Sequence, residues 1–412
     1  METIYIAGVG MTPFGKLLDQ NIKDLAKTAV DGALKDADID AREIQAAYFA
    51  NCVQGHMEGQ HMIRGQIALR AMGIGGIPVV NIENACAAAS TALNLAVNLL
   101  KTGEADVALA VGAEKMYSND RERMFSAFTS GWDITQIEQN TQRLIELGKG
   151  MEVPPGTTSS RPYSIFMDVY AAKARSHMMR YGTTQRQIAA VSAKNHRHSV
   201  HNPLSQYQKA YSIEDVLAAS PITYPITTPM CSPISDGAAA AIVCTESGLR
   251  RLGLSRGRAI RILASVVRSG ADRDPSDSKN APTAVGSRLA YEKAGLGPDD
   301  ISVAEVHDAT AMGEIVHTEG LGFCAFGEGG AMAERGDTSL GGRIPVNPSG
   351  GLESRGHPIG ATGLAQIHEL VTQLRGEAGA RQVEGARVAL AQNGGGSIGY
   401  DEAASCITIL AR

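Results

Sequence analysis

The chain reads as an α/β protein built around a buried, largely parallel sheet, and three observations lead there. Ala-rich helical stretches alternate with short Val/Ile/Leu runs from Ile4 to Leu410, and such wholly apolar runs mark strands covered on both faces. Glycine is abundant, at 46 of 412 residues, while aromatics supply only 5%. The second half also repeats the first: Gly103-Glu104-Ala105-Asp106-Val107-Ala108-Leu109-Ala110 is echoed by Glu384-Gly385-Ala386-Arg387-Val388-Ala389-Leu390-Ala391. An internal duplication follows. Two βαβαβαββ halves, each burying a sheet and packing through shared helices, predict a layered α/β/α/β/α body.

In order, Ile4–Val9 is a strand, Ile22–Ala37 an amphipathic helix, Ala46–Cys52 a strand and His61–Met72 a helix. Ile77–Val80 is a short strand, Ala87–Leu100 a helix without Pro or Gly, and Ala105–Val111 a fourth strand. From about Met116 the texture changes to mixed charge, Gly, Pro and Ser. Two helices, Ser164–Arg180 and Thr184–His201, then precede the strand Asp236–Cys244. The second series runs through Ala259–Val267, Thr283–Ala294, Val303–Val306, Ala311–Gly320, Ile344–Val346, Ile359–Leu374, Val388–Ala391 and Ser405–Leu410. The expected division is 1–116 with 235–256 as one half, 117–234 as a lid-like insertion, and 257–412 as the other half.

A net charge of −5 leaves no basic excess with which to neutralise phosphates, which argues against a nucleic-acid binder. The six cysteines are scattered without C-x-x-C spacing, so free thiols in a reducing compartment are expected. No apolar run approaches a membrane span, and Met1 leads directly into a strand; a cytoplasmic protein is expected. His196, His198 and His201 lack carboxylate or cysteine partners at ligand spacing, so no metal is expected there.

Four segments carry chemistry. In Asn84-Ala85-Cys86 the cysteine stands at a strand-to-helix junction, where an elbow displays the sulfur. The helix dipole there is expected to lower the thiol pKa to somewhere in the range ~3.5–7.5. Gly356-His357-Pro358-Ile359-Gly360-Ala361-Thr362-Gly363 packs glycines around a histidine at a helix start, and a neutral imidazole can take a thiol proton. By the repeat register Cys86 and His357 open equivalent helices, so a pseudo-dyad brings them together. His307-Asp308 ends a strand; His307 could donate to an oxyanion, or Asp308 could orient it structurally. Gly394-Gly395-Gly396 offers backbone N–H groups to another.

Together these segments resemble the thiolase superfamily, in its sterol-carrier-protein branch. The likeness runs from Ile4–Ala7 and Thr12-Pro13-Phe14-Gly15-Lys16 through Asn84-Ala85-Cys86, Ser232…Asp236-Gly237-Ala238-Ala239, the His357 block and Gly394-Gly395-Gly396 to the last strand, essentially the whole chain. It implies a thiolase fold, an acyltransferase working on acyl-CoA, and coenzyme A as co-substrate with no permanently bound cofactor. By resemblance Cys86 is the acylated nucleophile, and His357 its base. His307 with His357 forms one oxyanion hole, and the Cys86 and Gly394 N–H groups form the other. Ser232, Gly394 and Gly395 contact the pantetheine arm, and the insertion is the coenzyme-A-binding loop domain.

Two departures stand out. The second catalytic cysteine of classical thiolases falls at Gln392, and that of the sterol-carrier type at Ala309. Neither side chain moves a proton, which leaves His307 or an insertion residue for that role. The resemblance further implies a homodimer or dimer of dimers, and a possible small zinc-ribbon/OB-fold subunit. A degradative thiolase for a branched or aromatic β-ketoacyl-CoA is the expected function, benzoylsuccinyl-CoA thiolases being one such two-subunit system. The alternatives are an aldolase of the steroid side-chain type, a condensing acyltransferase, and a CoA-binding scaffold without chemistry.

Overall fold

The computed structural model describes residues 2–412. Strands β1 (Ile4–Met11), β2 (Ala46–Ala50), β3 (Val79–Ile82), β4 (Val107–Glu114), β5 (Gly237–Thr245), β6 (Ile260–Ser269), β7 (Val303–Glu305), β8 (Val388–Gly395) and β9 (Ala404–Ala411) share one sheet. Its order, β3-β2-β4-β5-β1-β6-β9-β8-β7, is two copies of one pattern set back to back. The duplication read from the letters is therefore a duplication of topology.

Two expectations need correction. The sheets of the two halves are not separate along their edges: β1 and β6 join them through Tyr5↔Arg261 and Ile6↔Ile260, and the joined sheet still puts one β layer on each side of the middle helices. The sheet is also not largely parallel. β2 pairs in parallel with β3 and β4, as does β7 with β8, but β5, β1, β6 and β9 run antiparallel to their neighbours. A parallel neighbour needs a crossover, whereas the loop 396–403 between β8 and β9 only turns the chain back. Ile344–Val346 forms a single bridge, Ala304↔Val346, in place of the expected strand. Pro345 has no N–H to extend the ladder.

Helices Ala88–Thr102 and Thr362–Arg375 form the middle layer. They share one apolar core with Ala108, Ala110 and Ala241 of one half and Ala389, Ala391 and Leu410 of the other. Small side chains let helix and sheet approach closely, which accounts for the Ala-rich composition. Ile22–Ala37 covers the outside of the first half and Pro282–Ala294 that of the second. Ile22–Ala37 starts where it does because Asn21 and Asp24 form a reciprocal capping box, and it buries Leu25, Ala26, Ala29 and Val30 on one stripe. The outcome is the layered α/β/α/β/α body.

The halves meet most closely at Gly112 of β4, where a β-carbon would overlap the Gly360 carbonyl and stand 3.0 Å from the Ala361 α-carbon. Gly112→Ala must push the His357 turn away. Overpacking of this kind costs ~1–3 kcal/mol, so a lowered denaturation midpoint in urea is expected alongside lost activity.

The insertion adds helices Ile165–Tyr181 and Gln185–Ser199, whose core residues Ala171, Ile188 and Val191 cluster with Ala311, Met312 and Ile315 of the second half. His196 and His198 belong to this packing. His196 uses its ring nitrogens on Pro229 O and Ser354 Oγ, and His198 on Asn347 O and the Leu340 N–H. Among the described residues no helix is long and apolar enough to cross a membrane.

Candidate active site

The elbow forms because β3 ends against a residue in an uncommon conformation. Ala85 has φ +47°, a left-handed value that costs a non-glycine residue energy and recurs at functional turns. Three side chains hold it there. Glu83 Oε1 accepts the Ala85 N–H at 2.6 Å, the Cys52 thiol donates to Ala85 O at 3.1 Å, and Asn84 Nδ2 donates to Thr91 Oγ1 at 3.0 Å. Cys86 lies within a single 3₁₀ turn, Ala85–Ala87, and the α-helix begins only at Ala88.

His357 arrives from the other half, in the turn between the helices Gly351–Arg355 and Thr362–Arg375. It thus stands five residues ahead of the helix it was expected to open. Its N–H donates to Ser235 Oγ at 3.0 Å, and its Nδ1 lies 2.6 Å from Thr362 Oγ1. Thr362 gives its own hydroxyl proton to Pro358 O, so it accepts from the ring and fixes the proton on Nδ1. That leaves Nε2 of His357 as a free lone pair.

His307 is held in the opposite tautomer. Asn393 Nδ2 donates to its Nδ1 at 3.1 Å, while Asn393 Oδ1 accepts from Ser90 Oγ on the Cys86 helix at 2.9 Å. The His307 proton therefore sits on Nε2. The two imidazole rings are nearly perpendicular, 82° apart with centroids at 5.1 Å. Ligand-type atoms of Cys86, His307 and His357 all lie within 4.8 Å of one another. The structure brings the three together, one as thiol, one as proton acceptor and one as proton donor.

Burial dominates the electrostatics. It pushes the Cys86 thiol up to about 12, against the N–H groups of Gly396 and of Cys86 itself, which favour the thiolate. The lowered value expected from the helix dipole is thus overturned: the 3₁₀ turn separates the sulfur from the helix axis, and desolvation outweighs the donors. Burial also drives His357 well below the usual histidine range, and holds His307 at about 4 despite the nearby Glu402 carboxylate. Thiol and imidazoles all rest neutral.

The other expected residues are distributed unevenly. Ser232, Gly394 and Gly395 line the same cavity as Cys86, of about 1020 Å³. Gly396 lines it too, and its N–H favours the thiolate form of Cys86. Asp308 turns away from His307; its carboxylate accepts from the Leu352 N–H at 2.7 Å and from Asn195 Nδ2 at 2.9 Å, so it does not orient the ring. Gln392 also points elsewhere, accepting the His307 N–H at 2.9 Å and donating to Thr283 Oγ1 at 3.1 Å. Ala309 reaches the cavity with a methyl group alone. Sequence reasoning missed Cys52, Tyr170, Cys231 and Glu402, which also line the cavity. They lie on four separate segments, and none carries a motif of its own.

Comparison with known proteins bears on the family and the fold. Residues 4–213 match the family model for the thiolase N-terminal domain, and residues 266–412 that for the thiolase C-terminal domain-like family. Sterol carrier protein 2 of Oryctolagus cuniculus is 38% identical over 98% of this chain and 74% of its own length. An acetyl-CoA acetyltransferase of Methanothermobacter thermautotrophicus is 37% identical over 97% of this chain and 98% of its own. Benzoylsuccinyl-CoA thiolase subunit BbsB of Thauera aromatica is 34% identical over 95% and 94%. Two solved structures share the fold over the full chain and 98% of their own: an Ltp2-ChsH2(DUF35) aldolase (TM-score 0.76, 22% identity) and human mitochondrial 3-ketoacyl-CoA thiolase in complex with CoA (TM-score 0.71, 18% identity). The chain belongs to the thiolase family and is an acyltransferase.

Proposed function

We propose that the protein is a thiolase that cleaves, or in reverse forms, a β-ketoacyl-CoA through an acyl-Cys86 intermediate. The observation that carries this reading is the Cys86–His357–His307 set with its two opposed tautomers. Cys86 attacks the C3 carbonyl while His357 Nε2 takes the thiol proton, which is how a thiol with a pKa near 12 becomes a nucleophile in the reacting complex. His307, with Nε2–H as donor, stabilises the thioester oxygen as charge builds on the departing fragment. The Cys86 and Gly396 N–H groups meet the oxyanion at C3, a task the family resemblance gives to Gly394.

Coenzyme A enters as co-substrate along Ser232, beneath the insertion acting as a lid. Phe125, Phe128, Phe166 and Ile222 give the cavity apolar walls, which suit a branched or aromatic acyl group in a degradative reaction. The naming of BbsB supports that class of substrate. A second copy of the chain is the natural partner for the edge strand β3, on which Val80 is exposed, with Met62, Ile63 and Ile67 exposed on the turn and helix before it. Ile134, Ile137, Ile145 and Val153 on the insertion are likewise exposed and offer a surface to a small zinc-ribbon/OB-fold subunit, as the DUF35 complex suggests. Six free cysteines suit a reducing compartment such as the cytoplasm.

The test is a mass spectrum. Acetoacetyl-CoA without added coenzyme A should leave an acetyl group on the peptide carrying Cys86, and free coenzyme A should remove it. A protein that cleaves β-hydroxyacyl-CoA and never becomes acylated would instead be an aldolase.

A further inference from the structure

A second cavity, of about 160 Å³, adjoins the one that holds Cys86. Phe166, Tyr170, Gly396 and Glu402 line both. The Glu402 charge acts on Cys86 and on His307, so the two spaces meet beside the reacting groups. A void of about 150 Å³ is enough for a benzene-sized group.

Helix Ile165–Tyr181 carries the wall from one space to the other. Phe166, Tyr170 and Lys173 stand at i, i+4 and i+7, a spacing that puts them on one face. Phe166 and Tyr170 border both cavities, and Lys173 borders the second alone. The helix advances roughly 10 Å over those seven steps. Along it the wall changes from aromatic to cationic.

The other charged groups of the second cavity are engaged. His177 Nε2 lies 3.0 Å from Glu319, Arg273 donates to Asp401 at 2.7 Å, and His317 Nε2 lies 3.3 Å from Glu402. Arg180 donates to Ser276 O at 2.5 Å. Lys173 has no hydrogen-bond or ion-pair partner among the described residues. Burial pushes its ammonium below the ordinary lysine value, and Arg273 acts the same way against Glu402 and Asp401. An ammonium held away from water without a partner costs stability unless an anion supplies the missing contacts. A single carboxylate matches this one free cation, whereas a phosphate dianion would add a second charge facing Glu402 and Asp401.

We propose that the second cavity is the far end of the acyl site, where Lys173 receives a carboxylate at the end of the acyl chain; the preferred substrates are then β-ketoacyl-CoAs of dicarboxylic acids. This rests on the acyl-Cys86 reading. The chain beyond C3 leaves the main cavity past Phe166, Tyr170 and Gly396 and ends at the ammonium. Lys173 selects the substrate; no bond forms or breaks there.

The experiment compares chain ends at equal length. Thiolysis of 3-oxoadipyl-CoA and 3-oxosuberyl-CoA is measured against 3-oxohexanoyl-CoA and 3-oxooctanoyl-CoA, which end in methyl groups. The wild-type protein should favour the acid-ended member of at least one pair by ~10-fold or more in kcat/KM, the size of a hydrogen bond to a charged group. Lys173→Met, which keeps the stem without the charge, should cancel that preference, and Lys173→Arg should keep most of it. An equal or opposite wild-type preference in both pairs, or a preference that survives in Lys173→Met, overturns the proposal while leaving acyl-Cys86 standing. Calorimetric binding to Cys86→Ala is independent of the chemistry. Adipyl-CoA and suberyl-CoA should bind more tightly there than hexanoyl-CoA and octanoyl-CoA, and adding Lys173→Met should erase the difference; equal binding in Cys86→Ala also overturns the proposal. A protein that binds the acids through Lys173 but never becomes acylated loses the thiolase reading and keeps the carboxylate pocket. Should Lys173→Met not fold, Lys173→Gln takes its place in both arms.

Discussion

Replacing Cys86 with alanine removes thiolysis, with a loss on the order of 10⁴–10⁶-fold in kcat, the scale on which nucleophiles of concerted catalytic sets are lost. Every step of the proposed cycle passes through the Cys86 sulfur, so no residual covalent route exists. Alanine fills most of the space in a site already half-buried, so folding should be nearly unchanged. The check is a kcat measured beside an unfolding midpoint: lost activity at unchanged midpoint supports the nucleophile. An aldolase, which needs no acylated thiol, would keep its activity in the same variant. Alkylation adds a second readout. With a resting pKa near 12, the free enzyme's thiol should react with iodoacetamide ever faster as pH rises through 10, with no thiolate plateau near neutrality.

His357→Asn gives the second large effect, ~10²–10⁴-fold in the rate of Cys86 acylation, because an amide cannot accept the thiol proton. The sign of the pH dependence follows from burial. An imidazole driven well below the usual histidine range is neutral, and so competent as a base, as pH passes through 6.5. Wild-type acylation should therefore show no acid limb centred near 6.5. A limb at that pH, abolished in His357→Asn, would mean that the ring is solvated and titrating normally. Thr362→Val is the companion variant. It frees Nδ1, lets the ring take either tautomer, and should lower the rate less than loss of the ring does.

Much of this was legible in the letters, and the failures have physical causes. Cys86 and His357 could be paired from sequence because the repeat register places them at equivalent turns, and topology follows register. Helix existence was also readable: Ala311–Gly320 falls on its predicted residues. Sheet direction was not readable, because β5 and β9 are entered from an insertion and a short loop that carry no directional signal. Thiol acidity was misjudged because a sequence shows the helix dipole but not the depth of burial opposing it. Glu402 could not be found at all. Its loop has no periodicity, and its place on the cavity wall depends on a glycine eight residues earlier and a histidine on another helix.

The place of β1 in the sheet bears on how the chain is made. Of these nine strands the earliest in the chain ends up at the centre, between β5 and β6, whose residues begin at 237 and 260. Ile4–Met11 thus waits for more than half the chain before either neighbour exists. The intervening insertion is no independent stopping point, since its apolar face is completed by Ala311, Met312 and Ile315. Such long-range pairing makes folding slow and late, and leaves β2, β3 and β4 with an unpaired flank during synthesis. The cell meets this protein first as a nascent chain with an open sheet edge, and only after release as an enzyme.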